Sequence, residues 1–275
     1  MANKVKELEL KITNIKNKWV SEISDVDCAN LTEIEKAEVY NLFGEQKVLI
    51  FKEQSLTNMQ LKEFCSIFGQ VWNNSTETYS GLQQSVHSGH EDNFVETVSE
   101  DGLLKSGVIR WHVDLTHFPS QLLPNRILYA VELEGEPSGT QFIDTIQGLH
   151  LIDKSVREFL ESAVAICKAP YETPWNSPVR RPAIQWHPIH NDFGLVADEL
   201  FTQWIEGLEE GTDYKQWIRK NVIDKMVTDE TLYVHNWNLG DLVVYDNYST
   251  IHYRDAFVGK RKLKRVTWDQ NWFRK

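Results

Sequence analysis

Apolar and polar positions repeat along this chain with two different periods, and their order separates an early helical part from a later strand-rich part. LTEIEKAEVYNLFGEQ (31–46) sets Ile34, Ala37, Val39, Tyr40, Leu42 and Phe43 at helical spacing. Thr32 followed three residues on by Glu35 has the form of a capping box. KVLIF (47–51) is a β-branched and aromatic run too short for a helix, which predicts a buried strand. After Ser55, Leu56 and Thr57, the stretch NMQLKEFCSIFG predicts a second amphipathic helix ended by Gly69.

From residue 106 the pattern turns to strands. VIRWHVDL (108–115), RILYAVEL (126–133) and TQFIDT (140–145) are short, β-rich and separated by turns bearing Pro or Gly. A helix is predicted at 152–166, an irregular Pro-rich stretch at 168–195 and further helix at about 198–227. Strands return at 231–237, 241–247, 250–257 and 264–273. No internal repeat, low-complexity tract or Gly/Ser linker marks a boundary. The expectation is therefore one domain over 1–275, an all-β sandwich or jelly roll decorated by helices, with a helical or irregular insertion around 150–228.

Charge and composition narrow the partners. Twenty-nine Lys and Arg against 40 Asp and Glu leave −11, so no nucleic-acid partner is expected, because phosphate binding needs a basic face. No apolar run reaches the ~18 residues of a membrane span, and the charged N-terminal segment is unlike the apolar core of a signal peptide. Three well-separated cysteines (Cys28, Cys65, Cys167) fit a reduced cytoplasmic setting better than a disulfide framework. Apolar surface on the N-terminal helices would allow a homo-oligomer. Ten Trp is the one unusual count, and large aromatics fill cores as well as line small-molecule pockets.

His112 and Asp114 sit two apart in the predicted strand 108–115, and alternation would put both on one face. One imidazole and one carboxylate make two thirds of a facial metal triad. His252, 140 residues further on in TIHYRDAF, is the natural third ligand. Two His and a carboxylate leave coordination positions open, as non-haem Fe(II) oxygenases require. Alone the His-x-Asp pair is a weak signal: with nine His and 40 acidic residues a chance pair is expected, and a packed or surface polar pair is the plain alternative.

The surroundings strengthen it. WHVD (111–114), LYA (128–130), GTQFIDT (139–145), GD…YDN…H (240–252) and R-x-x-x-R (261–265) occur in an order and spacing that resembles the taurine dioxygenase (TauD/TfdA-like) family of Fe(II)/2-oxoglutarate-dependent oxygenases, from about residue 20 to the C-terminus. The resemblance implies a mainly β fold with helical decoration around a double-stranded β-helix, a jelly-roll variant. It implies that His112, Asp114 and His252 bind Fe(II), and that Thr140 and Arg261 hold the distal carboxylate of 2-oxoglutarate. Arg265 would lie close to the oxoglutarate and the substrate's acidic group; both arginines could share one strand face. O₂ is the further co-substrate, and the substrate would be a small molecule such as a sulfonate, an amino-acid derivative or a biosynthetic intermediate, hydroxylated or desaturated. Related isonitrile desaturases act on tyrosine-derived isonitrile acids, which the aromatic content would suit without selecting. Related halogenases carry a small residue where Asp114 stands, so halogenation is not expected.

The charge distribution agrees. Residues 252–275 hold eight Lys/Arg and two acids, while the preceding 251 residues hold 21 basic against 38 acidic residues, a balance of −17. A dianionic keto acid needs a charge-assisted fork, which Arg supplies better than Lys. A solvated basic loop is the alternative, preferred for Lys260, Lys262 and Lys264. His87, His90 and Arg110 lie where family members often place substrate contacts, although most such residues are exposed polar groups. Trp111 reads equally as packing or pocket wall. Asp246 and Asn247 read as a structural turn, His187 and His190 as structural, and His117 and His235 as packing or support. Two competing functions use the same residues: a Zn²⁺ hydrolase at His112, Asp114 and His252, and a non-catalytic binding protein on this fold. A hydrolase has no need of the Thr140/Arg261 anion site.

Overall fold

The computed structural model describes residues 10–16, 19–72, 107–119, 123–170 and 177–270. In chain order, strands β1 (Lys11–Lys16), β2 (Val20–Ser24), β3 (Val48–Phe51) and β4 (Gly69–Val71) interleave with helices α1 (Glu33–Glu45) and α2 (Asn58–Ser66). Strands β5 (Ile109–His112), β6 (Asn125–Glu136) and β7 (Thr140–Asp144) follow. An insertion holds β8 (Val164–Cys167), β9 (Val179–Pro182), β10 (Ile184–His187), β11 (Asp192–Leu195) and β12 (Thr202–Ile205). Strands β13 (Leu232–His235), β14 (Leu242–Tyr245), β15 (Thr250–Arg254) and β16 (Val258–Gln270) complete the order.

Two sheets share one inner core. The larger has the order β1-β2-β3-β14-β6-β16-β4 and the smaller β13-β7-β15-β5. All their pairs are antiparallel except β2 with β3. Strand β14 shows why its sequence reads as an unbroken apolar run. Leu242 and Val244 pack with Phe43 and Phe64 of the helices, while Val243 and Tyr245 pack with Phe142 of β7 between the sheets. The insertion covers the other face of the smaller sheet through Ile143, Ile251, Ile184 and Ile218. Mainly β architecture with helices on the outside is therefore observed.

Helix α1 carries the expected capping box of Thr32 and Glu35, and α2 a second one of Thr57 and Gln60. Helix α2 stops at Ser66, and Gly69 opens β4 instead of ending the helix. A Cβ at Gly69 would stand 2.2 Å from the Asp269 carbonyl oxygen, so the glycine serves the close approach of β4 to β16. The predicted strand 108–115 ends at His112, and Asp114 lies in the turn beyond it.

The insertion is more ordered than its sequence suggested. Strands β12, β8 and β9 form a three-stranded sheet and β10 with β11 a hairpin. Their four-residue lengths and flanking prolines, Pro182 at the end of β9 and Pro188 just after β10, hide them from a periodicity reading. Within 198–227 only the segment Tyr214–Met226 is helical. Strands β1 and β2 had no sequence signal strong enough to predict them. No helix among the described residues is long and apolar enough to cross a membrane.

One irregularity marks the long β6–β16 pair. Pairing of β6 with β16 skips Val131, so β6 turns Arg126, Leu128 and Ala130 inward before the skip and Leu133 after it. Strand β16 keeps Arg261, Leu263 and Arg265 on the inner face throughout.

A buried ion pair ties the two sheets. Lys47, at the mouth of β3, reaches Asp144 at the end of β7 with Nζ 2.6 Å from Oδ2, and their side chains are 7% and 0% exposed. Asp144 Oδ1 also accepts from the amides of Ile146 and Gln147, capping the short helix Thr145–Gly148. Removing one partner leaves a buried charge uncompensated. Lys47→Met is therefore expected to lower the unfolding free energy by about 3–5 kcal/mol in chemical denaturation.

Candidate active site

His252 of β15 and His112 of β5 are direct cross-strand partners, and the next pair is Arg254 with Ile109, so β5 carries one extra residue. The two imidazole centroids are 3.9 Å apart. His112 Nδ1 donates to the Arg110 carbonyl at 2.8 Å, which fixes the ring and leaves Nε2 for the site.

Strand alternation does not place Asp114 beside them; a clamped turn does. Asp114 N donates to Asn247 Oδ1 at 2.9 Å, and Asn247 Nδ2 donates back to the Asp114 carbonyl at 3.0 Å and to Pro124 at 2.9 Å. Leu115, next in the turn, adopts the left-handed conformation at φ 61°. The carboxylate then stands with Oδ1 3.8 Å from His112 Nε2 and Oδ2 3.6 Å from His252 Nε2.

This donor set fits a divalent metal. All three residues are buried, and their ligand atoms lie within 4.8 Å of one another. Adjacent donors around a six-coordinate ion with ~2.1 Å bonds are about 3 Å apart, so small side-chain adjustments close the site. Burial and the neighbouring His112 push His252 well below its ordinary value, so its lone pair is available at neutral pH. Burial would raise the Asp114 carboxyl, but Arg126, with His252 and His112 behind it, holds it far below the usual carboxylate range.

The same cavity contains a cluster of donors suited to an anion. Thr140 opens β7, and the preceding Gly139 is where a Cβ would stand 2.8 Å from the His235 carbonyl. Thr140 Oγ accepts from Trp237 Nε1 at 3.0 Å and from Arg261 Nη2 at 2.8 Å. With its lone pairs so used, the hydroxyl hydrogen is left to donate to an incoming acceptor. Arg261 Nε donates to the Ser138 carbonyl at 3.1 Å and its guanidinium lies 5.6 Å from the Trp237 ring centroid. Burial and nearby Arg254 pull the Arg261 guanidinium down to about 9, so a bound anion would relieve it. Arg265 lines the cavity with Arg261, and together with Arg126 and Arg254 sets four arginines around one carboxylate.

Other residues singled out by sequence fall elsewhere. His87 and His90 lie outside the described residues. Arg110 is exposed and lines a separate surface pocket with Glu199, Lys215 and Arg219. Trp111 packs into the insertion-side core, its ring 5.2 Å from that of Tyr253. Burial, then Arg126, lowers His117 to about 4, and its ring stacks 4.3 Å from Phe201. His235 lies 3.1 Å from Asp241 through Nε2.

His187, His190 and Asp246 form a second cluster of potential donors. His187 Nδ1 accepts from His190 N at 3.2 Å and Nε2 donates to Asp246 at 2.8 Å, so both ring nitrogens are engaged. Asp246 also accepts from Ser249 Oγ and Tyr248 N, which braces the turn carrying Asn247. Sequence reasoning passed over Arg126, Tyr245 and Trp237 and took Asn247 as a plain turn residue. Arg126 and Tyr245 do carry a signal: each is a polar-tipped residue at the inward parity of a predicted strand.

Comparison with known proteins agrees with this geometry. The family model for taurine catabolism dioxygenase TauD, TfdA family, matches residues 11–267. An alpha-ketoglutarate-dependent 2,4-dichlorophenoxyacetate dioxygenase of Cupriavidus pinatubonensis (strain JMP 134 / LMG 1197) is 23% identical over 270 residues, covering 89% of this chain and 92% of the relative. A 3-((Z)-2-isocyanoethenyl)-1H-indole synthase of Fischerella ambigua (strain UTEX 1903) is 20% identical over 260 residues, covering 87% and 88%. The crystal structure of AAD-2 in complex with Mn(II) and N-oxalylglycine shares the fold, with a TM-score of 0.76 at 20% identity and coverage of 96% and 98%. With His112, Asp114 and His252 clustered beside the Thr140–Arg261 pair in one cavity, and a family match over residues 11–267, this chain belongs to the TauD/TfdA family of Fe(II)- and 2-oxoglutarate-dependent dioxygenases.

Proposed function

We propose that the enzyme oxidises an unactivated C–H bond of an acidic small molecule, by hydroxylation or desaturation, with release of succinate and CO₂. The observation that carries this reading is the joint placement of His112, Asp114 and His252 with Thr140 and Arg261 around one buried cavity. A metal hydrolase would use the first three alone. The acid-directed substrate preference is supported by Arg265 beyond the oxoglutarate anchor, and by a relative of matching length named for an aryloxyacetate. Amino-acid-derived biosynthetic intermediates, isonitrile acids among them, are a second substrate class to screen, since one relative is named as a 3-((Z)-2-isocyanoethenyl)-1H-indole synthase.

In this reading His112, Asp114 and His252 would hold Fe(II), which with 2-oxoglutarate and O₂ supplies the oxidising power. The chain's own work is positioning. Arg261 and Thr140 take the distal carboxylate of the co-substrate and so fix its keto-acid end toward the metal ligands. Trp237 orients the Thr140 hydroxyl. Phe142, Leu128 and Leu263 line the inner core beside the site and exclude water, which strengthens each charge-assisted bond.

Two outcomes check this. Protein loaded anaerobically with Fe(II), then given 2-oxoglutarate, ascorbate and air with a panel of aryloxyacetates, sulfonates and isonitrile acids, should form succinate coupled to one of these classes. His252→Ala should form none, and wild-type protein that forms none with any class would refute the reading. Arg261→Ala should raise the KM for 2-oxoglutarate at least about tenfold, and Trp237→Phe by a smaller factor of about 2–10, matching loss of one or two hydrogen bonds.

A further inference from the structure

Arg126 is a buried cation for which the metal and oxoglutarate sites alone give no role. It is 4% exposed, and its Nη1 stands 2.5 Å from Asp114 Oδ1. Tyr245 Oη donates to the other oxygen, Oδ2, at 2.5 Å. The Asp114 backbone is already clamped on both sides by Asn247. The turn is thus placed, and the carboxylate oriented, by neutral groups; what Arg126 adds is a permanent charge. A guanidinium stays protonated and is weakly hydrated, so it persists as a cation where burial discourages others.

That charge acts in opposite senses on the two things the cavity binds. It withdraws electron density from the carboxylate that would ligate the metal, and across that carboxylate it would repel a bound divalent ion. The same field attracts a dianion entering beside it, and burial leaves both effects poorly screened. Four arginines and a single carboxylate line this cavity, so it holds more positive charge than Asp114 balances.

Resting on the function proposed above, we infer that Arg126 is a positioning residue that balances the site by charge, loosening the metal when it binds alone and tightening the 2-oxoglutarate dianion once the metal is in place. The inference makes a sign-opposed prediction that a structural strut does not. Removing a strut weakens both ligands, whereas removing this charge strengthens one and weakens the other.

The test measures Mn(II) binding to the full chain from the electron paramagnetic resonance signal of the free ion, and N-oxalylglycine binding to the Mn(II)-loaded protein by calorimetry. Arg126→Gln keeps a hydrogen-bond donor near Asp114 without the charge. It should bind Mn(II) about fivefold or more tighter and N-oxalylglycine about tenfold or more weaker, within the usual range of coupling between sites. Arg126→Lys keeps the charge and should stay within about threefold of wild type for both. Weaker Mn(II) binding by Arg126→Gln, or unchanged N-oxalylglycine affinity, overturns the inference. Should circular dichroism show that Arg126→Gln does not fold, Arg126→Lys decides: retention of both affinities supports the charge account and a tenfold loss of either overturns it. Wild-type protein that binds neither probe would instead refute the proposed function itself.

Discussion

Asp114, two imidazoles, four guanidinium groups and the Tyr245 phenol share one cavity between two sheets. Burying such groups without partners costs several kcal/mol each, so the fold around them has to answer every one. The answers are visible in the hydrogen bonds. Asp114 is met by Arg126 and Tyr245, Arg261 by Ser138 and Thr140, and Arg254 by the Gly107 carbonyl. The skipped residue Val131 and the extra residue in β5 are irregularities in the two sheets beside these side chains. Helices on one side and the insertion on the other then keep water from both outer faces.

This arrangement gives the turn after β5 a larger part than its sequence suggests. His112 and His252 are placed by sheet pairing, a rigid element. Asp114 depends on Asn247, which depends in turn on Asp246, itself braced by His187 and Ser249. The insertion therefore does more than cover the smaller sheet. Through His187 it reaches the turn that holds Asp114, a contact that connects a distant loop to the candidate metal site.

Much of this was legible in the chain. The Thr32–Glu35 capping box, the KVLIF strand and the late strands follow from period, turn chemistry and residue type, while His252, 140 residues beyond His112, was singled out with the help of the family resemblance. The shared inward face of Arg261 and Arg265 followed from strand alternation. Asp114 reached its place by another route, because the strand ends at His112 and period-two reasoning has no force in a turn. Strands β8 to β12 escaped because each is only four residues long, too short for a readable period, and prolines bracket β9 and β10. Arg126 escaped because a charged residue in an apolar strand reads as an edge or an exception until its partner, Asp114, is seen across the cavity.

The central claim is that one cavity holds both a metal and the far end of a dicarboxylate, on residues drawn from both sheets. A crystal structure of the full chain with Mn(II) and N-oxalylglycine tests it most directly. The account predicts the metal on His112, Asp114 and His252, with the distal carboxylate against Arg261 and Thr140. Metal bound instead at His187, His190 and Asp246, or a distal carboxylate seated away from Arg261, would contradict it.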